Sequence, residues 1–166
     1  MAADYLIASL QPLDLDGPAP YTEAQFAEMC REQLGPDPFK AHAARWADLD
    51  AQLRNAVAAE RARARGDDPA KWRRPVRGCS PYWANRVAAA FQETNPAARE
   101  RLLDRVWWDA AGELVPPAAP LSAAAAFAYA IRLALVVRRR AASAEAGNAV
   151  FDRLAAAART GGPSLS

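Results

Sequence analysis

The sequence predicts an all-α protein, a single-domain helical bundle around a central apolar helix at about residues 121–140. Three observations predict it. Leu121–Val137 reads LSAAAAFAYAIRLALVV, with Arg132 as its only charge. A helix with almost no polar face belongs inside a bundle. Asp37-Pro38, Asp68-Pro69, Ser80-Pro81 and Asn95-Pro96 each set a capping side chain before a proline. Proline suits the first helical position, where its missing N–H has no partner to lose, and it pushes the residue before it out of the α region. Finally, large apolar residues recur at steps of three and four through the segments between.

Taken in order, Asp4–Asp16 is a short apolar segment, open between a brief strand and a helical turn, and Leu13-Asp14-Leu15-Asp16 leans extended by its alternation. Gly17, Pro18 and Pro20 make a loop. Thr22 and Gln25 form a capping box, with Tyr21 and Phe26 at staple spacing. That helix runs to about Leu34, stops at Gly35 and turns Phe26, Met29 and Cys30 inward. A long helix follows from Phe39, with Trp46, Leu49, Leu53, Ala56 and Val57 on its packed side. Asp48, Arg54 and Arg61 face out, Asp50 and Arg54 pair at i, i+4, and Gly66 ends it. Pro75 and Gly78 mark the basic stretch from Lys71 as a connector. The helix from Pro81 carries Trp83, Val87 and Phe91. The helix from Pro96 packs Leu103, Val106, Trp107 and Ala110, with Arg101, Asp104, Arg105 and Asp109 elsewhere. Trp107 and Trp108 lie about 100° apart on that helix, so one can go inside while the other lies at a rim or an interface. Pro116, Pro117 and Pro120 interrupt the chain before the apolar helix. Ser122 can cap that helix, and Arg138, Arg139 and Arg140 complement its negative end. After Ser143 a last helix shows Val150, Phe151 and Leu154. The domain thus spans 1–160, and 161–166 is a disordered tail.

The composition bounds function. The 166 residues suit one core. Alanine supplies many of the 52% hydrophobic residues, so five Trp, five Phe and four Tyr must fill much of the interior. A net charge of +2 is too small to predict a nucleic-acid binder. The charge is uneven, however. Through Leu53, three basic and nine acidic residues give −6, and from Arg54, eighteen basic and ten acidic residues give +8. Such a dipole steers towards a charged partner, or sets basic helices beside acidic ones. Membrane spanning needs about 20 apolar residues, and Arg132 interrupts this run. No basic segment precedes a long N-terminal apolar run, so a reduced, cytoplasmic setting is expected.

No phosphate loop, dinucleotide fingerprint or nucleophile elbow is present. No catalytic, cofactor-binding or metal-binding residue is predicted. Cys30, Cys79 and His42, two distant thiols and one imidazole, do not make a metal site. His42 is one helical step from Trp46 and reads as packing or as a satisfied surface position, and Cys30 as a small hydrophobe. Cys79 neighbours Arg77, which can activate a thiol, yet a structural role fits it better. Asp68 is a cap. The richest surface signal is Arg61–Arg77, which holds seven Lys or Arg against Asp67 and Asp68, plus Trp72. Arg61, Arg65, Trp72, Arg73, Arg74 and Arg77 are therefore candidate partner-binding residues, with Trp108 as a further contact. Arginine beside an aromatic binds phosphate and stacks a base. It equally binds an acidic protein face or stays solvated. The chain has only two Lys, so arginine here is its general usage.

Ordered short motifs carry a resemblance. They are Tyr5-Leu6-Ile7-Ala8-Ser9-Leu10, Thr22-Glu23-x-x-Phe26 with Cys30, and Leu53-Arg54-Asn55-Ala56-Val57. Further on come Asn95-Pro96-x-x-Arg99-Glu100-x-Leu102-Leu103-Asp104-Arg105 with Trp108, Ala128-Tyr129-Ala130-Ile131-x-Leu133, and Glu145-Ala146-Gly147 with Phe151. Together they resemble a bacterial family associated with V-type ATPases, one distantly similar to the socket-forming component of the V-type ATPase central stalk. The resemblance implies a soluble helical protein without catalytic residues. It implies an interaction subunit of a V-type ATPase or ATP synthase, serving proton or sodium transport by linking central stalk and membrane rotor. Its partners would be the stalk subunits and the rotor ring, met in the cytoplasm or at the cytoplasmic face of the inner membrane. The stalk socket itself is helical and built from three related lobes, and this chain is much shorter. The alternative is a small helical module that binds nucleic acid or another polyanion through residues 61–77.

Overall fold

The computed structural model describes residues 2–142. The helix expected after Ser143, with Val150, Phe151 and Leu154, and the tail 161–166 lie outside the described residues. Within them the chain is all-helical. Its helices are α1 (Ala2–Ser9), α2 (Glu23–Leu34), α3 (Lys40–Arg65), α4 (Pro81–Ala90), α5 (Pro96–Gly112) and α6 (Ala123–Ala141), with a 3-10 turn at Pro69–Trp72.

The predicted caps divide into those that bond and those that do not. The Thr22–Gln25 box is complete: Gln25 N–H donates to Thr22 Oγ1 at 3.1 Å, and Thr22 N–H to Gln25 Oε1 at 2.8 Å. Asn95 Oδ1 accepts from the N–H groups of Ala97 and Ala98, and Asp68 Oδ1 from that of Ala70. Asp37 does not cap. It sits in the left-handed region at φ 50°, and α3 starts two residues beyond Pro38, behind Phe39. A short polar side chain tolerates that conformation, so Asp37-Pro38 turns the chain instead of starting the helix. Ser80 and Ser122 hold cap positions without a side-chain cap bond. The segment at 4–16 resolves into α1 followed by irregular chain. The extended lean of Leu13–Asp16 is overturned, because no strand among the described residues pairs with it. Asp14 Oδ1 accepts from Asp16 N–H, and Asp14 O accepts from Gly17 N–H, closing a turn that buries Leu15.

Two apolar clusters form. In one, α3, α4 and α5 bring together Leu53, Val57, Trp83, Val87, Leu103 and Val106. In the other, Leu6 of α1 and Phe26 and Cys30 of α2 meet Ala126 and Leu133 of α6. The α5–α6 contact joins the two. Phe127 adds a second tie, lying 5.2 Å from Phe39 and 6.3 Å from His42 between ring centroids. His42 thus packs against Phe127 of α6. Tyr129 lies between Phe26 and Tyr21 and donates to Gln11 O at 2.8 Å. Burial, helped by Tyr21, pushes its phenol up to about 12. Burial also pushes the Cys30 thiol up to about 11, whereas Cys79 is exposed. No helix of the described residues is long and apolar enough to cross a membrane.

Leu53 and Leu133 are fully buried, one in each cluster. Replacing either by Ala is expected to lower stability by about 2–5 kcal/mol, read as an earlier urea midpoint. Treatment of the native protein with iodoacetamide at pH 8 is expected to label Cys79 alone by mass spectrometry. Cys30 labels only in denaturant, because burial blocks access and keeps the thiol protonated.

Candidate functional site

The described surface carries an open groove of about 530 Å³ between α3 and α5. Helical spacing builds it. Arg54, Ala58, Arg61 and Arg65 follow one another on α3 at steps of four, three and four, so they share a face. Glu100, Asp104 and Trp107 line the groove from α5, and Arg138 from α6. Trp72 and Arg74 close the end beyond the 3-10 turn.

Side-chain amides of α3 hold that end in place. Asn55 Nδ2 donates to Arg74 O at 2.9 Å, and its Oδ1 accepts from Arg74 N–H at 2.8 Å. One turn earlier, Gln52 Nε2 donates to Arg77 O and its Oε1 accepts from Ser80 N–H. Gly78, with φ 76°, supplies the left-handed step between the Gln52 contacts.

The charges fall into engaged and free groups. Asp50 accepts from Arg54 Nε at 2.6 Å through one oxygen and from Trp107 Nε1 at 2.8 Å through the other. Arg61 lies 3.7 Å from Glu100. Asp104 is buried, at 7% exposure, and both its oxygens are taken. One binds Arg138, and the other binds Arg139 Nη1 at 3.2 Å. Arg139 also reaches Asp16 at 2.6 Å, and Arg101 reaches the second Asp16 oxygen at 3.2 Å. By contrast, Arg65 and Arg74 form no ion pair among the described residues. Trp72 beside them is 56% exposed. Free guanidinium groups bind carboxylate or phosphate through paired N–H donors. Both groove carboxylates already serve arginines, so neither is a free base. Among the described residues no group of three or more His, Cys, Asp or Glu could hold a metal ion.

Of the residues expected to bind a partner, the structure brings Arg61, Arg65, Trp72 and Arg74 into this groove. Arg73 and Arg77 are exposed on the connector but do not line it, and Arg77 uses its carbonyl rather than its guanidinium. Trp108 is half-buried elsewhere, under the guanidinium of Arg132. Sequence reasoning misses Arg54, Glu100, Asp104, Trp107 and Arg138 as groove residues. The step pattern from Arg54 to Arg65 is a legible signal for the first. Helical spacing alone sets Asp104 away from the packed side, and it gives Arg138 only a helix-dipole role. Compared with protein-family models, with characterised proteins and with solved structures, the chain matches none.

Asp104→Ala is expected to cost about 1–3 kcal/mol, because it leaves the inward-held Arg139 with one carboxylate fewer. Arg138→Ala is expected to cost a similar amount, because it empties one oxygen of the buried Asp104. Chemical denaturation of the two variants checks both values.

Proposed function

We propose that this chain is a non-catalytic interaction subunit that grips an acidic segment of a partner protein in the groove between α3 and α5. The observation that carries this reading is the pair of guanidinium groups of Arg65 and Arg74, which form no ion pair among the described residues, beside the exposed Trp72. An aromatic flanked by arginines is the usual composition of an energetic hot spot in a protein interface. The wall opposite carries Glu100, so a partner with both signs of charge fits better than a uniformly anionic one. The resemblance to the V-type ATPase-associated family names the partners. They are central-stalk subunits, with the rotor ring beyond them, and a role in proton or sodium transport follows through that assembly. The chain would then be peripheral to the membrane, on its cytoplasmic face.

A second reading rests on the juxtaposition of Trp72 with Arg65 and Arg74, which also suits a stacked base and its phosphate. The presence of Glu100 and Asp104 on the same groove weighs against it.

Co-purification of the tagged chain with the stalk subunits is expected, and the double variant Arg65→Glu, Arg74→Glu should weaken it at least tenfold without loss of helical circular dichroism. Failure to retain any stalk subunit, with normal ATPase assembly in a deletion strain, rejects the first reading. Titration with labelled RNA and DNA decides the second. A phosphate-driven complex weakens steeply as salt rises, and no binding at low salt rejects it.

A further inference from the structure

A second concavity, of about 470 Å³ and open to solvent like the first, shares no lining residue with the groove. It lies among α1, the 10–13 segment, the end of α5 and α6. Ile7, Leu10, Leu13, Val115 and Ala125 give it aliphatic walls, and Trp108 and Tyr129 aromatic ones. Among the described residues its single charged lining residue is Arg132, the one charge of the Leu121–Val137 run.

Arg132 is anchored but not neutralised. Its Nε donates to Trp108 O at 3.1 Å. Its guanidinium carbon lies 5.1 Å from the centre of the Trp108 ring, a cation–π contact. Gly112 leaves room for it: a Cβ there would stand 2.6 Å from Nη2. Asp109 raises its basicity through space, but that carboxylate already accepts from Arg86 Nη2 at 2.6 Å. Arg132 forms no ion pair among the described residues. Burial works against its charged form, yet a guanidinium stays protonated at any ordinary pH. A half-buried, permanent cation without a counter-charge is costly. Trp108 takes its Nε and one face, and Nη2 lies beside Gly112; neither Nη forms a hydrogen bond among the described residues, so both keep N–H donors for incoming oxygens. The Tyr129 hydroxyl is already committed to Gln11 O, so it fixes the wall and does not compete for a ligand.

We propose that this cavity binds a small organic monocarboxylate with an apolar body, its carboxylate held by Arg132 and its body against Trp108 and the aliphatic walls. The volume lies within the range of small-ligand sites, about 300–1,000 Å³, and a mostly apolar lining with few fixed polar groups is their usual composition. One cation in an apolar wall suits a monoanion. A phosphate dianion asks for more donors than this site holds. The inference does not depend on the groove or its partner.

Isothermal titration of the full chain with octanoate tests it, with octan-1-ol as the uncharged isostere. Octanoate is expected to bind one saturable site at least tenfold more tightly than octanol. Arg132→Met should weaken octanoate about tenfold to a hundredfold while leaving octanol nearly unchanged. That variant also removes the Trp108 contact, so Ala125→Leu serves as the second: it narrows the cavity, leaves Arg132 in place and should weaken both probes. No saturable octanoate binding in the millimolar range overturns the proposal. So does equal affinity for octanol, or octanoate binding that survives both substitutions in variants with unchanged melting temperature.

Discussion

The architecture depends on one buried carboxylate. Asp104 sits at the contact between α5 and α6, the seam along which two separately packed groups of helices are joined. Taking a carboxylate out of water is tolerable only when its lone pairs are filled. Here Arg138 and Arg139 fill them, and Arg139 passes the connection on to Asp16 and thereby to Arg101. The network matters because α6 is so rich in alanine. Small, similar side chains pack closely but distinguish poorly between one register and the next. Arg132 and Arg139, seven residues apart on α6, both bond to α5 and so define which turn meets which. Directional bonds supply the specificity that shape does not.

The groove grows out of the same seam. α3 is long because its apolar residues continue at helical spacing to Val57, and α5 packs across it through Leu103 and Val106. Beyond that crossing α3 carries arginine in place of leucine, and the two helices present charge to one another. The division of the chain into an acidic first third and a basic remainder is met in part by local pairing, as between Asp50 and Arg54. It is met in part by the long reach of Asp16 to Arg101 and Arg139. Where neither device operates among the described residues, at Arg65 and Arg74, positive charge is left over.

Much of this is legible in the residues. The Thr22–Gln25 box, the Asn95 and Asp68 caps, the connector around Pro75 and the inward stripe of Phe26 and Cys30 all follow from local chemistry, and local chemistry is what a sequence displays. Three features are not legible. Asp37 has the composition of a cap, but the path of the chain into α3 requires a left-handed turn there. Asp104 has the composition of a surface residue, and only the arrival of arginines from 34 and 35 positions away makes its burial tolerable. Arg73, Arg74 and Arg77 are alike in sequence. What separates them is which backbone positions the amides of α3 hold. Long-range pairing decides each of these cases, and no window along the chain contains both partners.

The pairing of Asn55 and Gln52 with the connector has one more consequence. Each amide exchanges a donor and an acceptor with the connector backbone, Asn55 with the one residue Arg74 and Gln52 across the left-handed step at Gly78, so two side chains on a helix set the path of the loop. Such a template counts residues. Lengthening or shortening the link between Arg74 and Ser80 by a single position would leave one amide facing the wrong peptide group, and the loop could then drift without any apolar contact being lost. The exposed side chains of this segment take no part in those bonds, but its length is metered by the helix beneath it.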